Sequence, residues 1–201
     1  MKPWEIISKL EADSSRLVKE SILLNEAKAV NHELYDGIRL ALDGFITFGV
    51  KNIKTRKDED GVGVMWDEFL SLTDSLKRRD LTGNAARDAI DALKGKCTND
   101  QWNNWYRRIL LKDLKCGVSE KTVNKVLKGN KDIAPVPVFT CQLAEDSAKH
   151  EKKVCGKKFL EVKLDGVRLL TVIDVENNTV AQYSRNGKEL LNFTNVAELI
   201  Q

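Results

Sequence analysis

The hydrophobic positions follow a helical period over roughly the first 130 residues. Behind Pro3, which suits a first helical turn, Trp4, Ile7 and Leu10 recur at a spacing of three residues. Between these apolar stripes, the polar and charged segment 44–63 predicts an irregular loop, with a short hairpin as an alternative. Further stripes predict helices with starts at Asp13 or Ser14, about Asn31, Trp66, Thr82, Thr98 or Asn99, and Ser119. The helix that starts at Thr98 or Asn99 is predicted to end at Cys116–Gly117.

The pattern changes to extended structure after Ile133. Pro135 and Pro137 exclude a helix and favour an extended linker. Beyond them, alternating or β-branched runs predict strands, with a turn at Asn177–Asn178 and a final helix. The predicted strands lie at 139–143, 158–164, 167–175 and 179–185, and the helix begins at 196.

These patterns predict a multidomain chain. We expect an all-α domain at 1–131, a linker at 132–138 and the first strands of an α/β domain at 139–201. Three or four strands and one turn of helix cannot enclose a pocket, because a sheet this small leaves one face uncovered. We therefore expect the second domain to be only the opening part of a larger one.

Composition adds few constraints. The 33 Lys and Arg residues against 30 Asp and Glu leave a net charge of +3, so a nucleic-acid surface would depend on where the charges lie. Four cysteines are widely spaced without a C-x-x-C pair, and His150 and Cys155 are the nearest two potential metal ligands. No metal site is predicted, and reduced thiols suit a cytosolic protein. No signal peptide or membrane span is recognisable, so we expect a cytoplasmic location and no membrane partner.

The strongest chemical pattern is Glu-x-Lys-x-Asp-Gly-x-Arg at 161–168. Lys163 alternates with apolar residues in a predicted strand, and burial there would lower its pKa from about 10.4 towards that of a nucleophile. Arg168 follows the Asp-Gly turn and is available to ribose or phosphate oxygens. The alternative is a surface hairpin that matches by accident, expected roughly once in a thousand chains of this length.

A second cluster follows about twenty residues later. Arg185, within Ser184-Arg185-Asn186-Gly187, would leave its strand on the same rim and offer a bidentate fork to a phosphate. Alone this sequence is a common turn. Its position after Lys163 strengthens the prediction of a nucleotide site.

These motifs resemble those of a known family. Residues 161–168 resemble motif I of the covalent nucleotidyltransferases, which include ATP-dependent DNA ligases, RNA ligases and mRNA capping enzymes, and 184–187 resemble motif Ia. The stretches 81–90 and 107–126 resemble the N-terminal DNA-binding domain of DNA ligases, most closely those of T-even-type bacteriophages. RNA ligases and capping enzymes do not carry that helical domain. The resemblance covers nearly the whole chain.

The resemblance implies specific roles. Lys163 would attack the α-phosphate of ATP and hold AMP, while Glu161 would contact the adenine amino group. Arg168 would bind ribose or the incoming 5′-phosphate, and Arg185 a phosphate of the nicked DNA. The second domain would be ATP-grasp-like. Mg²⁺ would be required, with its ligands outside this chain.

At the level of the whole protein, the resemblance implies a monomer that seals nicks in duplex DNA during replication, repair and recombination. If the source is a bacteriophage, it would act in the host cytoplasm. The later family motifs do not occur in the chain, so we expect these 201 residues to be inactive alone. An RNA ligase, a capping enzyme and a non-catalytic DNA-binding module remain alternatives.

The helical domain has its own candidates for DNA contact. Two predicted helix starts present backbone N–H groups, small residues and nearby lysines, which suit sequence-independent phosphate contacts. Capped helices with solvated basic faces are the alternative. Trp102, Trp105 and Tyr106 are predicted to be core residues. The predicted DNA contacts are Thr82, Gly83, Asn84, Lys115, Gly117, Ser119, Lys121 and Thr122.

Overall fold

The computed structural model describes residues 1–141, 145–151, 154–159, 161–162, 166–193 and 195. The chain divides into two compact units, Met1–Val138 and Phe139–Gln201. Val138 also ends the predicted linker. Within that stretch Ile133 and Val136 are buried in the first unit, and Asn124 exchanges two hydrogen bonds of 2.8 Å with the backbone of Val136.

The first unit is helical, and its helices begin close to where the sequence predicts them. Asn31 and Thr98 cap their helices through side-chain oxygens that accept the backbone N–H three residues later. A π-helical turn, Trp102–Tyr106, joins two short α-helices into one segment over 99–110. The α-helices are α1 Pro3–Ala12, α2 Arg16–Lys28, α3 His32–Leu42, α4 Trp66–Lys77, α5 Gly83–Lys96, α6 Asn99–Gln101, α7 Arg107–Leu110 and α8 Glu120–Val126.

The segment 99–110 runs through the core of this unit. Trp102, Trp105 and Tyr106 are fully buried, which confirms the prediction that they are core residues. The ring of Tyr106 stacks on that of Phe69 at a centroid distance of 4.1 Å. The segment therefore supplies the largest side chains that the surrounding helices bury.

The loop 44–63 is irregular, as predicted, and the alternative hairpin does not form. Its backbone groups pair with side chains of the 99–110 segment instead. The Gln101 amide accepts from Val64 N (2.9 Å) just beyond the loop and donates to Val64 O (2.6 Å). The Asn103 amide does the same with Arg56, at 2.9 Å for both bonds. These side chains give the backbone at Arg56 and Val64 the partners that a neighbouring strand would otherwise supply.

The helix predicted to run to Cys116–Gly117 ends earlier, at Leu110. Three residues beyond it adopt left-handed backbone conformations that a helix cannot contain: Lys112 (φ 60°), Lys115 (φ 53°) and Gly117 (φ 65°). Leu114 and Cys116 between them, and Val118 directly after them, are buried. The chain here winds into a tight turn that alternates buried and exposed residues.

The second unit contains one antiparallel pair of strands in its described part. Strand β1, Leu169–Asp174, pairs with β2, Thr179–Ser184, in the register Leu169↔Ser184 to Asp174↔Thr179. Asn178 in the connecting turn is left-handed (φ 50°), as the predicted Asn-Asn turn requires. A short 3₁₀ helix spans Ser147–Lys149.

The other predicted strands are not formed in the described residues. Residues 139–141, 158–159 and 161–162 are not in strands, and the rest of those two segments lies outside the described residues, as does the predicted helix over 196–201. Phe159 and Val162 are 99% and 85% exposed. These side chains supply no apolar face of the kind that the alternation predicted.

Gly37 in α3 gives a direct test of core packing. A Cβ at this position would lie 2.2 Å from Cζ2 of Trp105, so we expect Gly37→Ala to lower the free energy of unfolding by about 3 kcal/mol. Gly95→Ala in α5 is the matched control, because its Cβ would meet nothing within 4 Å; we expect it to stabilise by about 0.5 kcal/mol. Urea unfolding followed by far-ultraviolet circular dichroism measures both. Equal effects would contradict the close approach of Trp105 to α3.

Candidate nucleotide and DNA sites

The two arginines predicted to bind ribose or phosphate flank the same end of the hairpin. Arg168 immediately precedes β1 and Arg185 immediately follows β2, while Leu169 pairs with Ser184. Because the strands are antiparallel, both arginines lie at the open end, opposite the Asn177–Asn178 turn. Both are exposed.

Arg185 lies in a hydrogen-bonded turn. Ser184 N donates to Lys188 O (2.8 Å), and Ser184 O accepts from Gly187 N (2.9 Å). The Ser184 hydroxyl accepts from Lys188 N (3.1 Å), and Gly187 has φ 78°, a conformation that favours glycine. The S-R-N-G-K sequence therefore builds a turn that presents the Arg185 side chain to solvent.

Cys141 links the two arginines. Its thiol lies 3.8 Å from Nη1 of Arg168 and 3.7 Å from the carbonyl oxygen of Arg185. Nearby, the ring of Phe139 lies 6.1 Å from that of Tyr183 in β2. Residues 139–141 thus run beside the open end of the hairpin, although they are not in a strand. The sequence offered no signal for the contact of Cys141 with the two arginines.

Lys163, the predicted nucleophile, lies outside the described residues, as does Asp165. Glu161, the predicted adenine contact, is exposed. The roles of Glu161, Lys163, Arg168 and Arg185 therefore stay predictions. The geometry adds only that the two arginines are neighbours.

The first predicted DNA contact lies at the start of α5. Thr82, Gly83 and Asn84 are exposed, and Gly83 is left-handed with φ 55°. The Thr82 side chain makes no capping hydrogen bond, so the first amides of α5 are left without that partner. Gly83 lines a groove of about 950 Å³ that Lys112 and the 44–54 loop also line.

The second predicted contact is the turn between α7 and α8. Lys115, Gly117, Ser119 and Lys121 are exposed, and Thr122 is half-buried. A side chain of α2 also contacts this turn: Lys19 Nζ donates to Cys116 O at 2.7 Å, next to Gly117. Among the described residues, no hydrogen bond or ion pair joins the two predicted contacts.

Several nearby cations are already engaged. Lys77 and Arg78 pair with Asp74 and Asp80. Lys112 is half-buried and donates to the carbonyl oxygens of two residues at the end of α3, and burial lowers its pKa to about 8. Lys112 is thus a structural contact rather than an exposed DNA-facing cation.

The described residues contain no group of three or more His, Cys, Asp and Glu that could hold a metal ion. His150 pairs with Glu145, and the thiol of Cys155 donates to Glu151 O. Cys97 and Cys116 are buried thiols, and burial raises the pKa of Cys97 to about 12. No helix in the described part of the chain is long and apolar enough to cross a membrane.

Comparison with curated sequences finds DNA ligases of Enterobacteria phages T4 and T6. Each is 27% identical over 197 residues, which cover 93% of this chain and 38% of the relative. The chain therefore spans well under half the length of these relatives. No protein-family model matches it.

Two solved structures are similar to the chain along nearly its whole length. Pmar-Lig_PreS3 superposes with a TM-score of 0.87 and 47% identity, covering 98% of this chain and 45% of the other. Pmar-Lig_Pre. superposes with a TM-score of 0.86 and 46% identity, and the match covers 99% of this chain and 47% of the other. The matches to the T4 and T6 DNA ligases, together with these structures, confirm the predicted resemblance to T-even-type phage DNA ligases. A helical N-terminal unit followed by a small sheet is the part of the predicted fold that they support.

Proposed function

We propose that this chain is the N-terminal part of an ATP-dependent DNA ligase that seals nicks in duplex DNA. The observation that carries the proposal is similarity along almost the whole chain to phage DNA ligases and to the two Pmar-Lig structures, together with the motif at 161–168. Over that length the helical unit and the hairpin are matched together. This favours a ligase over RNA ligases and capping enzymes, which lack the helical domain.

In the proposed reaction, Lys163 is the nucleophile. Its Nζ forms a bond to the α-phosphorus of ATP, the bond to pyrophosphate breaks, and the amine gives up a proton. The 5′-phosphate at the nick then displaces the Lys163 amine, which regains a proton, and forms a bond to the phosphorus of AMP. The 3′-hydroxyl loses its proton and attacks the 5′-phosphate, so that the phosphodiester bond forms and AMP leaves. Binding and orientation of phosphates fall to Arg168 and Arg185.

The described residues fit a phosphate-bearing nucleotide. Two guanidinium groups flank one end of the hairpin, and each can make paired hydrogen bonds to phosphate oxygens. Glu161 is exposed and its carboxylate can accept from an amino group. Mg²⁺ would offset the charge of the triphosphate, with ligands from residues outside this chain. The protein would act as a cytoplasmic monomer in replication, repair and recombination.

The helical unit is proposed to hold the duplex through its phosphates. Thr82–Asn84 offer amides at the start of a 14-residue helix, and Lys115 and Lys121 add exposed cations. Contacts of this kind do not depend on base sequence. A nick can occur in any sequence, so this mode of binding suits nick sealing.

Salt dependence tests the phosphate contacts. We expect the 201-residue chain to bind nicked duplex DNA with an affinity that falls as salt rises, because each phosphate contact releases counterions. Lys115→Met with Lys121→Met should reduce the slope of log affinity against log salt by about 2. Fluorescence anisotropy at several salt concentrations measures this.

Lys28→Met is the matched control, because Lys28 is an exposed lysine at the end of α2, outside the predicted contacts. It should leave the slope unchanged. An affinity that does not change with salt would contradict phosphate contact. An equal reduction of the slope in Lys28→Met would show that the slope depends only on the net charge of the chain.

Labelling with ATP tests the nucleophile. A longer protein that contains this chain and the rest of the nucleotidyltransferase domain should gain acid-labile AMP from α-labelled ATP. Lys163→Ala should abolish the label, whereas Lys157→Ala, at an exposed lysine, should retain it. The 201-residue chain alone should gain none. Label that persists in Lys163→Ala would refute the assignment, and a preference for GTP or for RNA ends would indicate a capping enzyme or an RNA ligase.

A further inference from the structure

Lys19 in α2 reaches a turn that lies 97 residues further along the chain. Its Nζ donates to the carbonyl oxygen of Cys116 at 2.7 Å, and its side chain is half-buried. A partly desolvated ammonium group makes a strong hydrogen bond when its acceptor is fixed. This contact joins α2 to the turn that carries Lys115 and Gly117.

Gly117 lies beside this contact. A Cβ at Gly117 would lie 2.8 Å from Nζ of Lys19, which is the end of a flexible side chain and can shift to make room. Gly117 has φ 65°, where any other residue is strained. The backbone conformation of the turn is therefore what requires glycine here.

The turn needs support from outside. Lys112 and Lys115 hold left-handed conformations without being glycines, and such positions persist only where surrounding structure enforces them. At the start of the turn, Lys112 Nζ donates to Leu40 O (2.8 Å) and Asp43 O (2.6 Å). At its far end the corresponding tether is Lys19. Each end of the turn is thus held by an ammonium group that donates to backbone carbonyls.

The charges around Lys19 leave it available for this role. The neighbouring Glu20 carboxylate is taken by Arg16 (2.8 Å) and by Lys125 of α8 (2.6 Å). The hydrogen bonds from these two cations hold the pKa of Glu20 below its usual range. This pairing joins α2 to α8, and the ammonium of Lys19 bonds to the turn that precedes α8.

We propose that Lys19 is a positioning residue for DNA binding: it holds the turn 115–118 so that Lys115 can meet a phosphate of the duplex. The inference rests on the proposed function, since it assigns a role in the same DNA contact. Lys19 itself does not touch DNA in this proposal. It acts through the conformation of the turn.

A double-mutant cycle tests the proposal in the full 201-residue chain. The variants are Lys19→Met, Lys115→Met and the pair, with Lys28→Met as the control for lost charge on α2. Lys19→Met should weaken binding to nicked duplex DNA about as much as Lys115→Met does, roughly three- to tenfold at low salt. In the Lys115→Met background it should have no further effect, because the contact through which it acts is already gone.

Two further measurements examine the turn itself. Amide hydrogen exchange at 115–118 should be faster in Lys19→Met and unchanged in Lys28→Met, since only the first removes the tether. Lys19→Arg keeps a donor and should recover part of the DNA affinity. Circular dichroism confirms that each variant is folded.

The outcomes separate the proposal from its alternatives. Fully additive losses in the double variant would mean that Lys19 contacts DNA directly, and would overturn the positioning role. Salt-dependent binding that Lys19→Met leaves unchanged would also overturn it, while the proposed function would stand. If the parent chain does not bind DNA at all, the proposed DNA contact fails, and the inference fails with it.

Discussion

Burial of the 99–110 segment is the constraint on which the rest of the helical unit depends. Trp102, Trp105 and Tyr106 are fully buried, and this volume can be enclosed only if the surrounding helices pack closely around it. Gly37 shows this close packing most directly, because α3 approaches Trp105 so closely that there is no room for a Cβ at this position. The same segment binds the backbone at Arg56 and Val64, so one buried helix organises both core and loop.

The proposed DNA-binding turn follows directly from that segment. Once α7 ends at Leu110, the chain must leave the core and still bury Leu114 and Cys116, which forces a tight left-handed path. Exposed residues, among them Lys115, alternate with these buried residues. A turn anchored by its apolar side chains and by two ammonium groups is a rigid way to present charge, and rigidity reduces the entropy lost on binding.

The second unit contributes chemistry through strand register. Motifs that are separated in sequence meet because Leu169 pairs with Ser184, which brings the flanking Arg168 and Arg185 to one end of the hairpin. The turn at 184–188 adds backbone hydrogen bonds that direct Arg185 outward. In the proposed ligase, this pair would lie beside the nucleotide that Lys163 receives.

The sequence by itself determined the helix starts, the hairpin and the aromatic core, because periodicity, capping residues and the Asn-Asn turn act over a few neighbours. It also indicated the ligase resemblance, since motifs are local. It could not predict which backbone groups the side chains of the 99–110 segment pair with, why the helix stops at Leu110, or the contact of Lys19 with Cys116. The last joins residues 97 positions apart. Only the tertiary structure decides such contacts, because it brings a backbone group and a side chain that are distant in sequence within hydrogen-bonding distance.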